Sequence, residues 1–221
     1  AAWWLDAVQY ASDLGSNDKT KGTGAYRKWV VAALNDDLPY DRFIQMQIAG
    51  DLMLAESGRD FDADLLSATA MLTFLPFSAQ ETDKFRVHSD IIDGQIDLIG
   101  RSILGLTLSC ARCHDHKFDP ITVKDYYAMA GIFYSSRITD AGKSRVTHPL
   151  LPPAEVEKSK GKKQQLPLTN TIAEGAAGNS LHKMMGLVDG RGVGDTRVHL
   201  RGSYRRLGPV VRRGFPEVLA G

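Results

Sequence analysis

The sequence predicts a mainly α-helical fold with an irregular, loop-rich C-terminal part. Over most of the first 135 residues, apolar side chains recur at intervals of three and four, the period of a helix face. After Arg137 this pattern gives way to prolines, a lysine run and glycines. The 221 residues are 43% hydrophobic and 24% charged, which is typical of a globular protein.

Four amphipathic helices are predicted in the first 76 residues. Each is predicted from an apolar stripe, and the third and fourth also from start and stop signals. They are a helix through Trp4 and Leu5, one over residues 26–34, one from Pro39 to Gly50, and one capped by Asp62 or Asp64 that stops near Pro76.

The fifth and sixth helices are the most clearly marked. The fifth is predicted from its buried stripe, with Ser89 and Asp90 as caps, and the sixth over residues 123–133. The stripe of the fifth consists of Ile92, Ile96, Ile99, Ile103 and Leu106.

Three segments are expected along the chain: a helical domain over residues 1–138, a linker or insertion over 139–190, and the truncated start of a second domain over 191–221. The last segment is basic, and Val198-His199-Leu200 is a candidate strand. We interpret the chain as a piece of a longer protein, because it lacks an initiator Met and an export signal. A formal net charge of +1 gives no argument for nucleic acid, and no apolar run approaches the roughly 20 residues of a membrane helix.

The segment Cys110-Ala111-Arg112-Cys113-His114 directly follows the fifth helix and contains both cysteines of the chain. Two thiols at this spacing can bond to the two vinyl groups of one porphyrin, and the adjacent histidine can ligate the iron from the proximal side. The segment therefore predicts a helical c-type haem domain, with haem c as cofactor and His114 as the iron ligand.

Three other interpretations stay open. A thioredoxin-type redox pair should lie at a helix N-terminus after a strand. A zinc site would use Cys110, Cys113, His114 and His116, although neighbouring Cys113 and His114 reach one tetrahedral ion with difficulty. The third interpretation is a disulfide or a free thiol pair.

The motif and its surroundings resemble the planctomycete cytochrome c-like family. The resemblance implies haem, export and a two-domain parent chain, but it implies no reaction. The resemblance of the C-terminal residues implies that the companion domain begins there. The resemblance rests on residues 110–121, 125–128 and 131–133, on Trp4-Leu5-Asp6, on residues 26–30, 35–43 and 47–51, and on 199–202 and 214–219.

Other side chains are candidates around the haem. Arg112 and His116 are assigned to the cofactor-binding segment, and a hydrogen bond within the motif loop or to a propionate is expected for His116. The distal iron ligand stays open, with Met184 and Met185 slightly favoured and Met129 better explained as core packing. The other distal candidates are His88, His148, His182 and His199.

The expected function is electron transfer in an exported, periplasmic or secreted protein, with a redox partner or the rest of the parent chain as partner. One alternative is a secreted haem oxidoreductase acting on a glycan or another extracellular substrate. Another is a structural haem or zinc module without turnover.

Overall fold

The computed structural model describes residues 1–10, 23–75, 81–137, 139–140, 144–145, 147–149, 183–185, 188–189 and 193–220. Helices dominate the described residues up to 137, which confirms the mainly α fold. Much of the predicted linker, including His182, lies outside the described residues.

Most helices precede the strands along the chain. The α-helices are α1 (Ala2–Ala7), α2 (Thr23–Asn35), α3 (Tyr40–Glu56), α4 (Ala63–Ala68), α5 (Lys84–Ile99), α6 (Val123–Tyr134) and α7 (Glu217–Ala220). Short 3-10 helices cover Thr69–Thr73, Leu108–Arg112 and Leu200–Gly202, and a π-helix covers Gly100–Leu104. The strands are β1 (Ser136–Arg137), β2 (Thr139–Asp140), β3 (Ser144–Arg145), β4 (Thr147–Pro149), β5 (Lys183–Met185), β6 (Val188–Asp189), β7 (Thr196–His199) and β8 (Leu207–Val211).

The chain forms two compact units that do not follow chain order. The first comprises Ala1–Asp6, Tyr10–Phe74 and Arg145–Leu187. The second comprises Ala7–Gln9, Leu75–Ser144 and Val188–Gly221. No helix among the described residues has the length and apolar character needed to cross a membrane.

The first unit is built around an aromatic core. Trp29 stacks on Phe43 with ring centroids 5.1 Å apart, and Trp4 meets Phe43 edge-on at 5.0 Å. Buried Gln47 accepts hydrogen bonds from Tyr26 Oη (2.6 Å) and Trp4 Nε1 (3.1 Å), so its polar side chain is satisfied inside the core. These contacts fix α1, α2 and α3 against one another.

Helix α3 is longer than the sequence predicted. It passes Gly50, where we expected its end, and continues to Glu56 with non-helical dihedrals at Ala49. Gly50 serves packing instead of termination, since a Cβ there would lie 2.3 Å from the carbonyl oxygen of Leu65 in α4. The prediction that Asp62 caps α4 is confirmed, because its carboxylate accepts from the backbone N–H groups of Asp64 and Leu65.

The second unit is centred on α5 and α6. The predicted stripe on α5 is confirmed at Ile92, Ile96 and Ile99, which are all buried. The predicted caps of α5 are wrong, because the helix begins at Lys84 and its cap is Asp83, six residues before Ser89. Ser89 and Asp90 lie inside the helix.

The described residues from 193 onwards belong to the second unit. Strands β7 and β8 pair antiparallel, which confirms a strand at Val198 and His199, and β7 and β8 pack against α6. The backbone N–H of Gly214 donates to the carbonyl of Ala128 at 3.0 Å, and that of Glu217 donates to Asp125 at 2.9 Å. The start of a second domain at residue 191 stays a prediction.

Candidate functional site

The chain reaches the cysteine motif through a widened helical turn. After α5 it continues as the π-helix and leaves it at Gly105, whose φ of 67° is left-handed. A Cβ at Gly100 would lie 2.7 Å from the carbonyl oxygen of Leu106, so only glycine permits this close return of the chain. The turn places the 3-10 helix of the motif against α5.

The motif divides its residues between the interior and the surface. Leu108 and Ala111 are buried, which anchors the 3-10 helix. Cys110 and Cys113 carry free thiols and are exposed, and His114 is exposed next to them. All three residues predicted to hold the haem are therefore accessible.

Arg112 faces helix α5. Its Nη1 donates to Asp93 at 2.9 Å, and its Nη2 donates to Asp90 at 3.0 Å and to Ser89 at 3.3 Å. Burial opposes the charge of Arg112, but the carboxylates of Asp93 and Asp90 outweigh it and raise the pKa of the guanidinium. Arg112 therefore holds the motif to α5 through charged hydrogen bonds.

Two tyrosines of α6 complete this anchor. Tyr126 Oη donates to the second carboxylate oxygen of Asp93 at 2.6 Å, and burial followed by the charge of Asp93 raises the pKa of its phenol. Tyr127 Oη lies 3.1 Å from the carbonyl oxygen of Arg112 and 3.2 Å from that of His199. The motif backbone is thereby linked to α6 and to the end of β7.

His114 has one nitrogen engaged. Its Nδ1 lies 2.8 Å from the carbonyl oxygen of Asp115. Because a carbonyl only accepts, Nδ1 carries a proton, and in the neutral form of the ring Nε2 carries the lone pair. Among the described residues, no hydrogen bond reaches Nε2.

The side chain of His116 forms hydrogen bonds within the motif loop, as we expected. Its Nδ1 accepts from the backbone N–H groups of Asp119 (2.8 Å) and Phe118 (3.3 Å), and its Nε2 lies 2.9 Å from Thr107 Oγ1. The side chain is only 6% exposed. Its neighbour Asp115 accepts from the N–H of Val123 at 2.8 Å and so fixes the loop to the start of α6.

The candidates for the distal iron ligand lie in different parts of the structure. Met129 is 2% exposed, as expected for core packing. His88 and His199 have lowered pKa values, His88 through burial and His199 through burial and the charge of Arg112. For His148, Met184 and Met185 the structure describes only the backbone, in which Met184 of β5 pairs with His148 of β4 in the first unit.

A C-terminal segment touches the motif directly. We call residues 199–206, which comprise the last residue of β7 and the connection to β8, the strap. Gly202 of the strap has a φ of 74°, and a Cβ there would lie 2.5 Å from Cys113 Sγ. Tyr204 and Arg205 both donate to Asp83, with Arg205 Nη2 at 2.8 Å.

The geometry gives little support to the rival metal and redox interpretations. Among the residues that the structure describes, no group of three or more His, Cys, Asp or Glu side chains is arranged to hold a metal ion. Between residues 81 and 110, all of them described, no strand precedes the cysteine pair as a thioredoxin-type site requires.

Sequence reasoning missed the residues that position the motif. Ser89, Asp90 and Asp93 share one face of α5 at spacings of three and four, a pattern that suits a basic partner. The first two were instead predicted to be helix caps. Gly202 gave no usable signal, because its partner Cys113 lies 89 positions earlier.

Fold and site together define a mainly α-helical protein with an exposed, well-anchored Cys-x-x-Cys-His segment. Residues 1–138 match the family PSCyt2, described as a protein of unknown function (DUF1549), and the chain belongs to this family. Neither a curated protein nor a solved structure matches the chain. The family description names no ligand or reaction.

Proposed function

We propose that residues 110–114 attach haem c covalently and that the chain transfers electrons as part of an exported multidomain protein. The observation that carries the proposal is the state of His114. Its Nδ1 donates to the carbonyl of Asp115, so that in the neutral form of the ring the lone pair of Nε2 is left for a metal. Metal-ligating histidines are commonly oriented by such a hydrogen bond on the other ring nitrogen.

The residues of the motif fit a haem group. Cys110 and Cys113 are free and exposed. Each thiol can add across one vinyl group, its sulfur bonding to one carbon and its hydrogen to the other, so nothing is released. Since a porphyrin brings four nitrogen donors, this segment needs to supply only one iron ligand, and no cluster of side chains is required.

Bound haem c would supply an iron that changes between the ferric and ferrous states by one electron. The contribution of the chain is to hold the ligands in place. Arg112 anchors the motif to α5, and His116 and Asp115 brace the loop on either side. A fixed ligand set suits electron transfer, because the surroundings of the iron then change little between oxidation states.

Thioether formation takes place on the outer face of the cytoplasmic membrane. We therefore propose a periplasmic or secreted location. The resemblance to the planctomycete cytochrome c-like family supports a planctomycete or a related bacterium as the source. Detection of the full-length protein in the cytoplasm with both thiols free would contradict this location.

The test is expression with an export signal and a haem c maturation system. We expect haem to stay on the denatured protein in mass spectrometry, with a two-thioether pyridine haemochrome spectrum. A matched variant with Cys110→Ala and Cys113→Ala should lose the haem on denaturation. Colourless protein of apo mass would refute the attachment, whereas CO binding to the reduced protein would favour a haem oxidoreductase over electron transfer.

A further inference from the structure

The contact between the strap and Cys113 constrains one thiol of the motif. Gly202 is left-handed, and a Cβ on it would come within 2.5 Å of Cys113 Sγ, closer than real Cβ atoms approach. The sulfur therefore occupies space that any other residue at position 202 would fill. Among the described glycines, Gly202 is the one for which a Cβ would meet a cysteine sulfur.

The strap is held on both sides of Gly202. Before it, the carbonyl of His199 lies 3.2 Å from Tyr127 Oη. After it, Tyr204 and Arg205 donate to Asp83. Across its base, the N–H of Leu200 donates to the carbonyl of Arg206 at 2.8 Å. A side chain added at Gly202 would therefore displace the Cys113 side chain more readily than the strap.

We infer that Gly202 is a positioning residue for the second thioether. Gly202 leaves room for the Cys113 sulfur beside the strap, and its backbone closes that side of the thiol. A vinyl group would therefore approach the sulfur from another side, where the addition takes place as described for the proposed function. This inference rests on that function. A change at Gly202 should affect the thioether at Cys113 and spare the one at Cys110.

The first experiment uses the chain expressed with an export signal and a haem c maturation system, with its fold checked by circular dichroism after purification. Peptide mass spectrometry then assigns each thioether. We expect two thioethers in the wild type, and in Gly202→Ala loss of most of the Cys113 thioether with the Cys110 thioether retained. Gly105→Ala is the matched control, since Gly105 has a φ of 67° but no atom within 4 Å of an added Cβ.

If Gly202→Ala forms two thioethers in the wild-type proportion, the inference is wrong and the proposed function still stands. Absence of any thioether in the wild type would refute the proposed function and the inference with it. The contact is also tested without haem, by measuring alkylation of both thiols with iodoacetamide. Freeing the strap with Tyr204→Phe and Arg205→Ala, neither of which lies in the core, should speed alkylation of Cys113 and leave Cys110 unchanged. An unchanged rate at Cys113 would overturn the inference.

Discussion

Replacing Asp93 with alanine should destabilise the second unit much more than the same change at Asp90. Both residues lie on α5 and both accept a hydrogen bond from Arg112. Asp93 also accepts from Tyr126, and its side chain is 26% exposed against 52% for Asp90. Asp93 thus joins three elements of the unit, whereas Asp90 makes two ion pairs at the surface, with Arg112 and with Arg86 of its own helix.

The magnitude follows from these contacts. Loss of Asp93 leaves the buried Tyr126 hydroxyl without its acceptor, which costs about 1–3 kcal/mol. It also removes one charged hydrogen bond of Arg112, worth about 1 kcal/mol after discounting for partial exposure and for the remaining bond to Asp90. The total is about 3 kcal/mol, against about 0.5–1 kcal/mol for Asp90→Ala. Since the gain in helix propensity is the same in both variants, it cancels in the comparison.

Hydrogen exchange of the apo protein, followed by mass spectrometry on peptides from α5 and α6, measures this difference. A gap of about 2 kcal/mol corresponds to roughly thirtyfold faster exchange in Asp93→Ala than in Asp90→Ala. All three tryptophans, Trp3, Trp4 and Trp29, lie in the first unit, so their fluorescence serves as an internal control. Equal exchange in the two variants would refute our account of the anchor.

Two further predictions concern the strap and the two histidines. Hydrogen bonds from Tyr204 and Arg205 lower the pKa of Asp83 from its ordinary 3.8 to about 2, so the stability it contributes is present above about pH 4 and is lost as the pH falls towards 2. In thermal unfolding, the Tm difference between the wild type and Asp83→Asn should shrink over that window, and a constant difference would contradict it. His116→Ala should cost the apo protein about 1–2 kcal/mol in urea unfolding, because the part-buried N–H of Asp119 loses its acceptor while water can replace the acceptor of the exposed N–H of Phe118. The same change at exposed His114 should cost less than about 0.5 kcal/mol. In the haem-loaded protein the variant with the larger effect should be His114→Ala, which should change the Soret band and the spin state, whereas His116→Ala should change them little. An equal effect of the two variants would show that His114 is not the sole proximal ligand of the pair.

The helices could be predicted because their information is local. The isoleucine stripe of α5 repeats with the helical period, and burial of Ile92 and Ile96 follows from it. Helix ends were harder to predict, because Asp83, Ser89 and Asp90 are all suitable cap residues, and the structure shows that Asp83 is the one used. The predicted end of α3 at Gly50 was wrong for a related reason. Gly50 has no side chain because its backbone packs closely against Leu65, a tertiary contact that composition does not reveal.

In the candidate site, too, the local features could be predicted and the distant contacts could not. Cys110, Cys113 and His114 were found because their chemistry depends on contiguous spacing. The partners of Arg112 lie 19 to 23 positions away on another helix, and Gly202 lies 89 positions from Cys113. Such pairs depend on how α5, α6 and β7 pack, and a single sequence does not encode that packing in any short pattern.

The confinement of the tryptophans to the first unit has a spectroscopic consequence. The indoles of Trp4 and Trp29 are held in the aromatic core around Phe43, while the proposed haem segment belongs to the second unit. Haem absorbs where tryptophan emits, so excitation energy would pass from indole to porphyrin with an efficiency that falls steeply with their separation. Time-resolved emission of the haem-loaded chain would then act as a molecular ruler between the two units, with no label added.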